Sequence, residues 1–153
     1  MSGERKPVPA VQTPFAESSG QLSPDGLWIS YESTESGGYE VYVQSFPASG
    51  NKWNISNNGG DRPQWRRDGK ALFSSGRSDG GIMIVEIKAQ KPPNPNQFEV
   101  GIPQLAVHDR VAGSFGVTPD GQRFLVNGRL ADSVDFFTLT VILNWAAALG
   151  ANK

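Results

Sequence analysis

Apolar residues in this chain fall into short runs, each closed off by Gly, Pro, Asp or Asn clusters. Within the runs they alternate or continue, and do not recur at every third or fourth position, so the pattern predicts strands and turns. The clearest case is the stretch 22–31, where two runs flank Pro24-Asp25-Gly26. Pro sets the first corner of a turn, Asp can accept a hydrogen bond from its own backbone two residues on, and Gly takes the positive φ that closes the hairpin. The arrangement recurs at Arg67-Asp68-Gly69 and at Pro119-Asp120-Gly121. In the second copy Arg67 stands in the Pro position, which a type I turn tolerates.

After each hairpin the pattern predicts a third strand, over 39–46, 81–87 and 136–143. A weaker fourth strand follows over 52–56 in the first unit and 103–108 in the second. The second unit is longer because residues 90–97 form a Pro-rich loop that cannot be a central strand. Repeats of four short antiparallel strands, spaced at roughly 40 to 45 residues, predict β-propeller blades. The expected fold is therefore all-β with three blades: 21–61, 62–110, and 111–145 lacking its fourth strand. The three form one half-propeller domain, 1–153. Residues 7–15 read as a strand with no blade of its own, positioned to close a last blade. Asn144 and Gly150 bracket an expected short helix over 145–150.

Three blades are too few for a ring, since propellers use about four to eight. The expectation is a homodimer completing a six-bladed propeller, in which 7–15 of each copy pair with the third strand near 136–143 of the other. The same count is met if the chain is half of a longer protein whose other blades lie upstream.

Composition adds limits. Lys and Arg number 14 against 15 Asp and Glu, a net charge of −1, which gives no electrostatic footprint for nucleic acid. No apolar run approaches the length that spans a bilayer, so membrane insertion is not expected. Cysteine is absent and His108 is the only histidine, which removes thiolate chemistry and a His-based metal site; no cofactor or metal is expected. The segment 112–116 approximates a nucleophile elbow around Ser114, with His108 and Asp109 upstream. It leads into a hairpin where an elbow needs a helix, so no catalytic residue is assigned. Trp28, Trp65, Phe73 and Phe124 sit where blades must stack and read as core, with Trp53 on an outer strand.

Residues 23–33 followed by 39–43 resemble the TolB-like propeller repeat. Together with 51–56, 60–69 and the ending 141–145, they are similar to the C-terminal propeller of bacterial proteins that often carry an N-terminal serine/threonine kinase domain. The resemblance implies the propeller fold, a sensing or docking context and an extracytoplasmic setting, and transfers no catalytic residue. Binding, if propeller-like, falls on the loops entering each first strand and joining the second and third. Here those loops carry Glu35, Tyr39, Asp61, Arg62, Arg77, Asp79, Asp109 and Arg110, a mixed set that suits a polar peptide or protein partner. The expected function is a non-enzymatic interaction module. A ligand-sensing propeller in a signalling or periplasmic assembly is the first alternative, and an enzyme using the central channel the second.

Overall fold

The structure is a computed structural model that describes residues 7, 9–48, 50–76, 80–89, 98–108, 111–128 and 138–143. The described residues are all-β and contain no helix; the expected helix over 145–150 lies outside them. Among the described residues, twelve strands form three antiparallel sheets.

Sheet one is β1 (Glu17–Leu22), β2 (Trp28–Ser33), β3 (Glu40–Ser45) and β4 (Lys52–Asn54), paired in that order. Sheet two runs β5 (Gly60–Trp65), β6 (Ala71–Gly76), β7 (Ile82–Ala89) and β8 (Phe98–Val100), with β9 (Gln104–Val107) also on β7. Sheet three is β10 (Val111–Val117), β11 (Arg123–Gly128) and β12 (Thr138–Leu143). Two strands go beyond the hydrophobic pattern. The strand β1 reaches back to Glu17, and before Leu22 it carries only polar side chains and Gly20, mostly exposed, leaving no apolar face to read. On β7, Ile82–Ile84 pair with β9 while Ile87–Ala89 pair with β8, so one long strand serves two short ones. The expected fourth strand near 103–108 is thus joined by β8, for which the pattern provides no run. Of residues 7–15, expected as a closing strand, those described belong to no sheet of the single chain.

The three hairpin turns are near copies. Gly26, Gly69 and Gly121 adopt φ of 71°, 70° and 73°. Their amides donate to Ser23, Arg66 and Thr118 carbonyls at 2.8, 2.9 and 2.8 Å.

Sheets stack face to face through a strict alternation. On β6, Leu72 faces sheet one, while Ala71 and Phe73 face sheet three. On β7, Val85 and Ile87 take the first side, Ile82 and Ile84 the second. Two cores result. Trp28, Val41, Val43, Ile55, Leu72, Val85, Ile87 and Phe98 fill the first. Phe73 and Phe124 meet edge to face at 5.2 Å in the second, beside Ile82, Ile84 and Val126. Trp28 touches Trp53 at 5.7 Å and Phe98 at 4.7 Å between ring centroids, so Trp53 serves the core although it sits on an outer strand. Period two places every second side chain of sheet two in a different core.

Candidate functional site

Each sheet's first strand opens with a β-bulge, between Ser18 and Gln21, Asp61 and Gln64, and Val111 and Phe115. Ser19 (φ 53°) and Arg62 (φ 50°) occupy the bulge at the same distance before their turn glycines, in a left-handed conformation unusual for side-chain-bearing residues. Bulges turn a backbone out of its ladder, and here the freed groups converge on Glu32. The Ser18 and Ser19 hydroxyls donate to Glu32 Oε1 at 2.6 and 2.8 Å, and the Arg62 amide donates to Oε2 at 3.3 Å. A buried carboxylate therefore ties sheet one to the entry of sheet two. The matching position on β6 is Ser75, too short to make the equivalent span. Its Oγ is buried without a hydrogen-bond partner.

Of the residues expected to bind, Asp61 and Arg62 are neighbours, with Arg62 Nη1 3.4 Å from Asp61 Oδ1. Glu35 is not with them. It pairs with Lys52, whose ammonium lies 5.0 Å from the Tyr42 ring centroid. Tyr42 stacks on Tyr31, with 6.0 Å between ring centroids, on the face of sheet one that points away from sheet two. Burial, then Glu17 and Glu35, push the Tyr31 phenol well above its ordinary value; Tyr42 is raised too, again chiefly by burial. Both stay protonated donors at neutral pH. Tyr31 donates to Gln44 Oε1 at 3.3 Å, and Gln44 Nε2 donates to the Ala10 carbonyl at 3.2 Å, so the segment around Ala10 lies over this face. Tyr39 holds the Gly60 amide on its carbonyl at 3.0 Å, at the junction of the two sheets. Arg77, Asp79, Asp109 and Arg110 lie outside the described residues.

The three Asp residues of the repeat act in their turns. Oδ1 of Asp25, Asp68 and Asp120 accepts the amide two residues on, at 3.1, 2.9 and 3.0 Å. Each also accepts a side-chain donor two residues back: Ser23, Arg66 and Thr118. Hydrogen bonds from Arg66 hold the Asp68 carboxyl below its ordinary value, and those from Thr118 and Gln122 do the same for Asp120. Two grooves separate the turns. One, of about 610 Å³, runs between the first and second turns; the other, of about 570 Å³, between the second and third. Arg67 lines both, and its amide donates to the Pro119 carbonyl at 3.0 Å. Proline, which fills this corner in the other two turns, has no such donor.

Ser114 lies inside β10, an exposed strand position followed by a hairpin, without the strand–turn–helix context of a nucleophile elbow. Among the described residues no three His, Cys, Asp or Glu side chains converge as a metal site.

The sequence pattern passes over Glu32, Ser18, Ser19 and the two grooves. A carboxylate inside the run 28–33 was the available signal for Glu32, since a buried charge demands partners. The grooves lie between turns far apart in sequence and have no local trace.

One end of the stack is open among the described residues. Leu125, Leu139, Val141 and Leu143 lie on the outer face of sheet three, exposed by 46, 74, 58 and 58%. Register places Leu125 opposite Val141 and Arg123 opposite Leu143, which puts these residues on one side. A groove of about 510 Å³ there is lined by Val117, Phe124, Leu125 and Val141.

No known family model matches the chain, and no curated protein sequence matches it. Solved structures do. The crystal structure of TolB from Acinetobacter baumannii superposes with a TM-score of 0.58 at 18% identity, over 82% of this chain and 29% of that one. A structure assigned as TolB from Agrobacterium tumefaciens gives 0.49 at 16% identity, over 81% of this chain and 44% of that one. One assigned as a 6-phosphogluconolactonase from Bacteroides uniformis gives 0.44 at 21%, over 81% and 39%. The chain thus spans under a third of the length of the Acinetobacter protein. At this identity the likeness carries the fold alone: stacked antiparallel sheets of the TolB-like propeller type.

Proposed function

We propose that this chain is a non-enzymatic β-propeller interaction module that binds protein partners and assembles by pairing its sheets with those of a second copy. The observation that carries this reading is the open apolar face of sheet three. Twice within the chain, the side of one sheet that includes the fourth residue after the turn glycine packs on the next sheet. Phe73 of sheet two does so on sheet three, and Ser30, with Trp28, faces sheet two from sheet one. Leu125 is the same position in sheet three and stays exposed. A contiguous apolar patch of this kind on a folded chain is a docking surface or an aggregation liability. A further sheet of the same repeat matches its shape and chemistry, and β12 is the edge strand of sheet three among the described residues.

In this reading residues 7–15 of one copy add to β12 of the other, and the two halves close a six-bladed ring. The loops bearing Glu35, Tyr39, Asp61, Arg62, Arg77, Asp79, Asp109 and Arg110 then form a polar rim for a peptide or protein. On the sequence resemblance, the module works outside the cytoplasm.

Mass in solution is the test. Light scattering should return a dimer for the wild-type chain and a monomer for Val141→Lys, since a charge at the centre of the patch cannot be desolvated cheaply. A wild-type monomer at high micromolar concentration overturns the assembly.

A further inference from the structure

Two Asn–Gly bonds occur in the chain, Asn58–Gly59 and Asn127–Gly128. Such a bond is chemically weak, because glycine has no Cβ to hinder its nitrogen, which can attack the preceding side-chain amide and close a five-membered imide. The attack needs a glycine nitrogen that has given up its proton. Hydrogen bonding of that N–H therefore decides which bond reacts, and when.

The second bond lies in β11, where Asn127 and Gly128 pair with Leu139 and Thr138 on one side and Gly128 with Val111 on the other, so the ladder holds its backbone. The first lies in the loop between β4 and β5. Asn58 is exposed, and it and Gly59 have φ of 68° and 91°, a left-handed conformation that Asn and Gly tolerate best. The Gly59 amide donates to Glu40 Oε1 at 2.7 Å. Glu40 is itself fixed: its Oε2 accepts the Ser56 hydroxyl, and Ser56 Oγ accepts the Val41 amide at 2.8 Å. On the far side the Gly60 amide donates to the Tyr39 carbonyl at 3.0 Å. A carboxylate accepting the Gly59 N–H keeps the proton on the nitrogen, and this charge-assisted bond must open before Gly59 can react. The Asp–Gly bonds of the three turns could close the same imide, but an ionised carboxylate resists a nucleophile, and their glycine amides are held by the Ser23, Arg66 and Thr118 carbonyls.

We propose that Asn58 is a deamidation site held latent by Glu40. When the Gly59–Glu40 bond opens, the Gly59 nitrogen attacks Cγ of Asn58. A bond from Gly59 N to Asn58 Cγ forms, the Cγ–Nδ2 bond breaks, and the amide proton leaves with the amino group as ammonia. Water then opens the imide to aspartate or isoaspartate. The new carboxylate stands one residue from the amide that Glu40 holds, like charge near like, and isoaspartate also lengthens the backbone. Either product draws Gly59 off Glu40 and loosens the junction of sheets one and two beside Asp61 and Arg62. The site is separate from the open face of sheet three and stands or falls independently of it.

The test incubates the full chain in mildly alkaline buffer beside a free peptide of the same sequence around Asn58, and follows both by peptide mapping with mass detection that separates aspartate from isoaspartate. Asn58 in the folded wild-type chain should react about tenfold or more slowly than in the peptide, and Glu40→Ala should recover about tenfold in rate, the size of one charge-assisted hydrogen bond. Glu40→Gln keeps a neutral acceptor and should fall between. Asn127 reports unfolding of the whole chain in the same samples and should stay intact. If Glu40→Ala exposes Asn127 as well, Glu40→Gln gives the measure. Wild-type Asn58 reacting as fast as the peptide, or folded Glu40 variants reacting no faster than the wild type, would each overturn the lock. Asn58 and Asn127 speeding up in equal proportion in both variants would do the same, since global unfolding alone would then expose the bond.

Discussion

At the scale of single residues, the turns show one geometry built from different side chains. Ser23 and Thr118 each give a hydroxyl to the turn carboxylate, and Arg66 gives its Nε in the same place. Arg66 thus takes the place of the hydroxyl that the second unit lacks. The carboxylates carry a pH dependence. Asp68 and Asp120 are held below their ordinary value of 3.8, so the folded chain favours their charged forms. Stability from them is complete above that value and is lost as pH falls through the depressed folded values. Urea midpoints measured from pH 6 to pH 2 should therefore drop in the acid range, and the double variant Asp68→Asn with Asp120→Asn should drop less. An unchanged slope would remove these turns as acid-sensitive points. Among glycines, Gly26 and Gly121 share a positive φ but differ in surroundings. A Cβ on Gly26 meets nothing within 4 Å; on Gly121 it meets Arg66 Cδ at 3.0 Å and the Phe73 ring at 3.1 Å. Gly26→Ala should cost about 1 kcal/mol, from left-handed strain alone. Gly121→Ala should cost about 2–4 kcal/mol, because the buried ring must also shift. Equal losses in chemical denaturation would show that the Phe73 ring yields freely.

At the scale of elements, alternation decides which residues of one strand matter. Phe124 is fully buried between sheets two and three, and its neighbour Leu125 points to the open side. In dilute solution Phe124→Ala should lose about 3–5 kcal/mol and Leu125→Ala well under half of that. A cycle of Phe73→Ala and Phe124→Ala should return a coupling of about 1 kcal/mol for the edge-to-face pair. A coupling near zero would mean that the rings contribute only by burial. The same alternation accounts for what could be read from the chain in advance. The hairpins, third strands and stacking aromatics are legible because their apolar periods and turn residues are local. The strand β1 is not, since Glu17, Ser18 and Ser19 face polar surroundings and no hydrophobic pattern marks them. The short β8 is hidden for a different reason: only Phe98 of its three residues is buried, and one side chain makes no period. For the candidate sites, Asp61 and Arg62 are adjacent in sequence and stay together. Glu35 is drawn to Lys52 by the fold of sheet one, and Glu32 gains its partners only when the bulges of two strands are brought side by side.

At the scale of the whole molecule, the two ends of the stack differ, and the difference constrains how copies can meet. The outer face of sheet three exposes four large apolar side chains. The outer face of sheet one is covered: Ile29, Tyr31 and Tyr42 are buried, beneath the Glu35–Lys52 pair and the segment that Gln44 holds at Ala10. In the proposed ring, the open end of one copy would meet the covered end of another, and residues 7–15 would go to a strand edge across the interface. If closure draws the segment off that face, the Gln44 to Ala10 hydrogen bond breaks, at a net cost of about 1 kcal/mol, small beside the ladder hydrogen bonds and apolar burial that closure adds. Amide exchange distinguishes this closure from a simpler association. In the proposed ring, the amides of residues 10–15 should become strongly protected as concentration rises, because the closing segment 7–15 would enter a ladder with β12. In a back-to-back dimer of two open faces, Leu139–Leu143 lose exposure while residues 10–15 exchange as in the monomer. Gln44→Leu sharpens the comparison, since it removes the anchor at Ala10 without touching sheet three. That variant should dimerise more tightly than the wild type if the segment has to leave, and equally if it does not. Concentration-dependent protection confined to β12 would end the ring proposal while leaving the open face as the site of association.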